Sequence, residues 1–96
     1  MEIKINALHF NVAEQLSEFI DKKVKKFGKL SEDISQVELT LKVVKPESAN
    51  NKEVSIRVVL PGAELFAEKT CDTFEEAIDL NLDSLKRQLE KHKAKK

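Results

Sequence analysis

The segment Val54-Ser55-Ile56-Arg57-Val58-Val59-Leu60-Pro61-Gly62-Ala63-Glu64-Leu65-Phe66-Ala67 decides the fold of this chain. Val54, Ile56, Val58 and Leu60 alternate with polar or smaller residues, the period of a half-buried strand. Pro61-Gly62 is tight-turn chemistry: proline presets one backbone angle and glycine accepts a positive one. Ala63, Leu65 and Ala67 then resume the alternation, so a second strand folds back on the first and ends near Thr70. Upstream, Val37, Leu39, Leu41 and Val43 alternate with Glu38, Thr40 and Lys42. Pro46 to Asn51 reads as a turn, which makes three strands joined as a meander. Further upstream, Met1, Ile3, Ile5 and Ala7 alternate with Glu2, Lys4 and Asn6, giving a first strand.

Two stretches carry helical spacing instead. Val12, Leu16, Phe19, Ile20, Val24 and Phe27 predict a helix from residue 12 or 13 to Phe27, with Asn11 and Glu14 as a capping box and Gly28 as its stop. Residues 29–35 read as a loop. Phe74, Ala77, Ile78, Leu82, Leu85 and Leu89 predict a second helix reaching about residue 92, capped by Asp72 with Glu75 or by Thr73 with Glu76. The fold class is therefore α+β, in the order β-α-β-β-β-α: a four-stranded mixed sheet with two roughly parallel helices packed on one face. Each strand has one apolar face, so both helices must cover the same side. If the first two strands are neighbours, the helical crossover makes them parallel. Both helices then run antiparallel to the first, second and fourth strands, and their C-terminal ends emerge together.

That placement matters because the charge is segregated. The net charge is zero, yet residues 22–29 hold five lysines and residues 85–96 hold six Lys/Arg against one acid. Residues 31–73 hold five basic against eight acidic residues. One or two cations suffice to complement a helix C-terminus; these clusters exceed that and read as a footprint for a polyanion. Lys23 falls near the middle of the first helix's apolar stripe, so its stem is expected to be buried and its ammonium sent out past the sheet. Aromatic residues that could stack on bases are scarce. Phe10, Phe19, Phe27 and Phe74 have core positions, and Phe66 is expected on the open face. The pattern fits recognition of folded RNA through backbone and shape more than reading of bases.

Other chemistries find no support. His9, His92 and Cys71 come from three separate regions without metal-ligand spacing, so neither a metal nor a cofactor is expected. Cys71 precedes a helix and reads as a structural thiol. Asp79 and Asp83 lie four apart, but Asp83 with Arg87 is an ordinary i,i+4 ion pair. The chain has no glycine-rich phosphate loop, and an enzyme is not expected. One cysteine, no apolar run of about 18 residues and no leader-like segment after Met1 suggest a soluble cytoplasmic protein.

Taken together, Ile3-Lys4-Ile5-Asn6-Ala7-Leu8-His9-Phe10, Leu16 to Lys23, Leu60-Pro61-Gly62-Ala63-Glu64-Leu65, and Asp72-Thr73-Phe74-Glu75-Glu76-Ala77-Ile78-Asp79 followed by Asp83 to Lys93 resemble the ribosome hibernation promoting factor family, also called the ribosome-associated inhibitor or sigma-54 modulation protein family. The resemblance spans the whole chain and implies a single ribosome-binding domain over 1–96, of the short form. It implies binding to the small ribosomal subunit through its rRNA, inhibiting translation by occluding the mRNA/tRNA channel during slow growth. Carried onto this chain, the rRNA contacts are Lys22, Lys23, Lys26, Lys29, Lys86, Arg87, Lys91 and Lys93. Neither a membrane nor a small-molecule substrate is implied, and the free protein is expected to be a monomer. The chain departs from the family pattern at Ala7 (commonly Gly), Ala13 (commonly a Ser/Thr cap) and Ser84 (commonly Lys). Its neutral charge predicts a shallower salt dependence than in more basic relatives. The alternatives are a general structured-RNA-binding module and a protein-interaction domain using the acidic strands or Phe66.

Overall fold

A computed structural model describes residues 1–8, 11–44 and 50–94. The elements are β1 (Glu2–Ala7), α1 (Glu14–Gly28), β2 (Gln36–Val43), β3 (Lys52–Leu60), β4 (Ala63–Cys71) and α2 (Phe74–Ala94). This is the expected order, with ends moved by one or two residues. His9, Phe10 and most of the expected turn at Pro46 to Asn51 lie outside the described residues.

The sheet order is β1-β2-β3-β4. β1 pairs with β2 in parallel, with Ile3 beside Val37 and Ile5 beside Leu39. β2 and β3 are antiparallel, as are β3 and β4. At the second hairpin Leu60 faces Ala63, leaving Pro61 and Gly62 as the loop. Gly62 has φ +74, the value that the third position of a type II turn requires and that glycine takes without steric cost.

Alternation places Val37, Leu39, Leu41, Val54, Ile56 and Val58 on one face, all fully buried. Ile20 and Val24 of α1 and Ala77, Ile78 and Leu85 of α2 cover them, also with no exposed surface. Burying each large side chain of this kind contributes about 1.5–3 kcal/mol. Ile34, in the expected loop before β2, is buried as well. It extends the core under the chain that returns from α1, while Ser35 N–H donates to Val59 O at 2.9 Å and fixes the start of β2.

The helix ends differ in part from expectation. α1 starts at Glu14 with Ala13 as N-cap and no side-chain cap. The Asn11–Glu14 box does not form, because Asn11 lies two residues before the cap. Gly28 does not stop α1 through a left-handed turn. It is the last helical residue, and Lys29 in right-handed geometry closes the helix, its N–H donating to Lys26 O while the Leu30 N–H donates to Phe27 O. A β-carbon at Gly28 would lie 2.7 Å from the Met1 thioether, so the missing side chain makes room for the first residue. At α2 the Thr73 alternative is the one realised, with Thr73 Oγ1 accepting from Glu76 N–H at 3.1 Å. Asp72 is used elsewhere: its Oδ1 accepts from Asn50 N–H at 2.7 Å, holding the end of the β2–β3 connection.

Asn81 sits on the apolar stripe of α2, fully buried. Its Nδ2 donates to Val54 O at 2.8 Å, while its Oδ1 has no partner among the described residues. A single directional bond thus sets α2 over β3. Asn81→Ala deletes that bond and opens a small cavity, with an expected loss of about 1–3 kcal/mol in urea denaturation at neutral pH.

Candidate nucleic-acid interface

Because β1 and β2 are parallel and β4 runs with them, α1 and α2 lie side by side in the same direction. Two contacts establish the alignment. Lys23 Nζ of α1 reaches Asp79 Oδ1 of α2 at 3.4 Å. Seven residues further along the chain, just past the end of α1, the carbonyl of Leu30 accepts a hydrogen bond from Lys93 Nζ. The C-terminal half of α1 therefore faces the 79–86 stretch of α2 across one cleft of about 300 Å³, lined by Lys23, Lys26, Phe27, Leu30, Asp79, Leu82, Asp83 and Lys86.

Of the eight expected contact residues, Lys23, Lys26 and Lys86 line this cleft. Lys93 bridges its far end to Leu30. Lys22, Lys29, Arg87 and Lys91 are exposed on the flanks or ends of the helices. The structure thus concentrates half of the set and leaves the remainder as a surrounding rim.

Lys23 departs from expectation. Its ammonium does not pass out beyond the sheet. It lies 5.4 Å from the Phe19 ring centroid and turns toward α2, with the side chain 39% exposed. Asp79 draws it there, a partner on another helix that a single-helix reading could not supply. The other ion pairs at the helices are local: Arg87 Nη2 with Asp83 Oδ2 at 2.7 Å, as expected, and Lys25 with Asp21 at 2.9 Å. Pairs this exposed contribute little stability, but they fix where the cations stand.

The open face of the sheet is built differently. Glu38 on β2 gathers Arg57 at 2.9 Å, Lys4 at 3.7 Å and the Asn6 amide at 3.4 Å. Arg57 also reaches Glu64 at 3.7 Å, and Lys42 pairs with Glu53 at 3.0 Å. The cations of this face are thus engaged by carboxylates, which makes it a poor platform for a polyanion. Phe66 stands among them, 55% exposed as expected. Its carbonyl accepts from Gln88 Nε2 of α2 at 2.9 Å, a tie at the β4 edge that sequence periodicity did not reveal.

Among the described residues no group of three or more His, Cys, Asp or Glu could hold a metal ion. No described helix is long and apolar enough to cross a membrane. Cys71 is buried at the end of β4. Burial, with the negative charges of Glu76 and Asp72, raises its thiol pKa above the ordinary value. Folding therefore favours the protonated thiol. Above the ordinary thiol pKa the native state holds more protons than the unfolded chain, so this residue's contribution to stability falls as pH rises. Expected outcomes are slow alkylation of Cys71 by iodoacetamide at pH 8, reaching the free-thiol rate in denaturant, and a smaller stability loss between pH 8 and 10 in Cys71→Ala.

Comparison with known proteins agrees with this architecture. Residues 3–96 match the family described as Sigma 54 modulation protein / S30EA ribosomal protein. A ribosome hibernation promoting factor of Escherichia coli strain K12 is 32% identical over 95 residues, covering 99% of this chain and 96% of its own length. One from Pseudomonas putida is 30% identical, covering 99% of this chain and 89% of its own length. A solved ribosomal subunit interface protein from Coxiella burnetii superposes with a TM-score of 0.87 at 26% identity, covering 98% of this chain and 99% of that one.

Proposed function

The chain belongs to the Sigma 54 modulation protein / S30EA ribosomal protein family, and from that premise we propose that it is a ribosome hibernation factor that binds the small ribosomal subunit through rRNA. It acts by occupying the channel that mRNA and tRNA use, without catalysis. The whole span works as one ribosome-binding domain, monomeric when free and acting in the cytoplasm.

The observation that carries this reading is a cleft between the lysine-rich end of α1 and the neighbouring turns of α2, with Lys23, Lys26 and Lys86 around it. Lys22, Lys29, Arg87, Lys91 and Lys93 extend the same positive rim. A rigid rim of cations meets phosphates at fixed spacing, and phosphate contacts set position and orientation without reading sequence. The sheet's open face, with its described cations paired to carboxylates, points away from the RNA. The neutral net charge limits long-range attraction, so complementarity of shape and local charge carries much of the affinity.

The test is sedimentation with ribosomes and separated subunits across a salt series. Saturable, near one-to-one binding to the small subunit that blocks tRNA is expected. Equal binding to isolated hairpin RNA would instead identify a general structured-RNA module, and absence from ribosomal fractions at physiological salt would remove the function. Reversing Lys26, Lys86 and Lys91 to Glu should leave the circular-dichroism spectrum and melting temperature intact and abolish co-sedimentation. The corresponding triple Ala variant should lower the slope of log affinity against log salt by about 3, roughly one per lost phosphate contact. Lys23 is kept in these variants, because its reversal would set a carboxylate against Asp79.

A further inference from the structure

The cleft between α1 and α2 is not a plain basic groove. Asp79 and Asp83 stand on its α2 wall, one helical turn apart on the same side, among the lysines of the rim. For a site that only clamps phosphates, these carboxylates oppose binding. Each is also only partly used. Asp79 meets Lys23 through Oδ1, and Asp83 meets Arg87 through Oδ2; the other oxygen of each has no hydrogen-bond partner among the described residues. An ionised carboxylate only accepts, at about four lone-pair sites, so each retains capacity for an N–H donor. Between the two walls lie Phe27, Leu30 and Leu82, an apolar floor.

Apolar floor, acceptor wall and cationic rim together match one ligand chemistry: a nucleotide whose base lies against the floor and whose phosphate meets the lysines. The volume of about 300 Å³ is at the small end of ligand-sized clefts, about 300–1,000 Å³. It suits one unpaired base and not a duplex. Guanine fits the acceptor wall best. Its pairing edge presents two adjacent donors, N1–H and N2–H, one for the remaining oxygen of each aspartate. On adenine and cytosine the amino group neighbours a ring nitrogen that is itself an acceptor. On uracil a single N–H lies between two carbonyls.

We propose that the α1–α2 cleft is a base-reading subsite for one unpaired guanosine of RNA, with Asp79 and Asp83 accepting from the base and Lys26 and Lys86 meeting its phosphate. This rests on the reading that the helix pair faces RNA, and it adds a specificity element to a surface otherwise built for phosphates. The base donates into the carboxylates while Lys93, bonded to Leu30, closes the far end of the cleft.

The test uses the full chain and four single-stranded RNA hexamers, all-adenosine or with one central guanosine, cytidine or uridine, followed by fluorescence anisotropy at low salt. The guanosine hexamer is expected to bind about tenfold or more tighter than the others, the order of discrimination one bidentate base contact supplies. In Asp79→Asn and Asp83→Asn this preference should collapse, because an amide presents a donor where guanine needs an acceptor. The all-adenosine hexamer should bind these variants more tightly, since a repelling charge is gone. Asp83→Glu, which keeps the acceptors, should retain part of the preference. Equal binding of all four hexamers, no binding of any, or uniform tightening in the Asn variants would overturn the subsite. Ribosome sedimentation of the same preparations separates the two readings. Wild-type protein that binds ribosomes without discriminating hexamers sinks the subsite alone, whereas failure to bind ribosomes sinks the wider function.

Discussion

One constraint governs the rest of this molecule: a four-stranded sheet with a single apolar face must be covered on that face alone. The residues that need covering, among them Val37, Leu39, Leu41, Val54, Ile56 and Val58, project to the same side. The chain has two amphipathic helices with which to cover them. With β1 parallel to β2, the crossover fixes the direction of α1, and the hairpins fix that of α2. Two helices on one face in one direction are therefore a consequence of strand pairing.

That arrangement creates an electrostatic demand. Parallel neighbouring helices place their negative C-terminal ends together, which repel unless cations stand nearby. Lys25 and Lys26 occupy the last turn of α1, and Lys91, His92 and Lys93 that of α2. Lys93 satisfies the Leu30 carbonyl just past α1, so it serves the partner helix as well as its own. The basic clusters thus stabilise the helix pair and provide a surface for an external anion, and the two roles favour the same residue type. Charge on the other face is organised in the opposite sense. Glu38 holds Arg57 and Lys4 close, so cations there are spent inside the protein. A chain with zero net charge consequently presents one face with outward-directed cations and one whose described cations are held by carboxylates.

The fold was legible from residue pattern because its determinants are local. Strand alternation, the Pro61–Gly62 turn and the spacing of Phe74 through Leu89 each report on backbone geometry within a few residues. The helix starts were less legible. Thr73 and Asp72 are both good caps, and the choice between them depends on Asn50, which claims Asp72 from 22 residues away. Asn81 was hidden for a similar reason. A polar residue on an apolar stripe looks exposed or misplaced until the Val54 carbonyl lies beneath it.

Of the candidate site, the sequence by itself determined the residue types and their segregation: lysines at two helix ends and acids in the middle of the chain, with the common helix direction following once β1 pairs with β2. Tertiary structure alone decided which of those lysines share a cleft and what stands between them. Lys23 turns toward Asp79 rather than past the sheet, and Asp79 and Asp83 enter the same cleft as Lys26 and Lys86. The physical reason is range. Periodicity reports which face of its own element a side chain occupies, whereas the partner of a long, flexible charged side chain is set by the rotation and offset of a neighbouring helix, and these are fixed by core packing contributed by every strand.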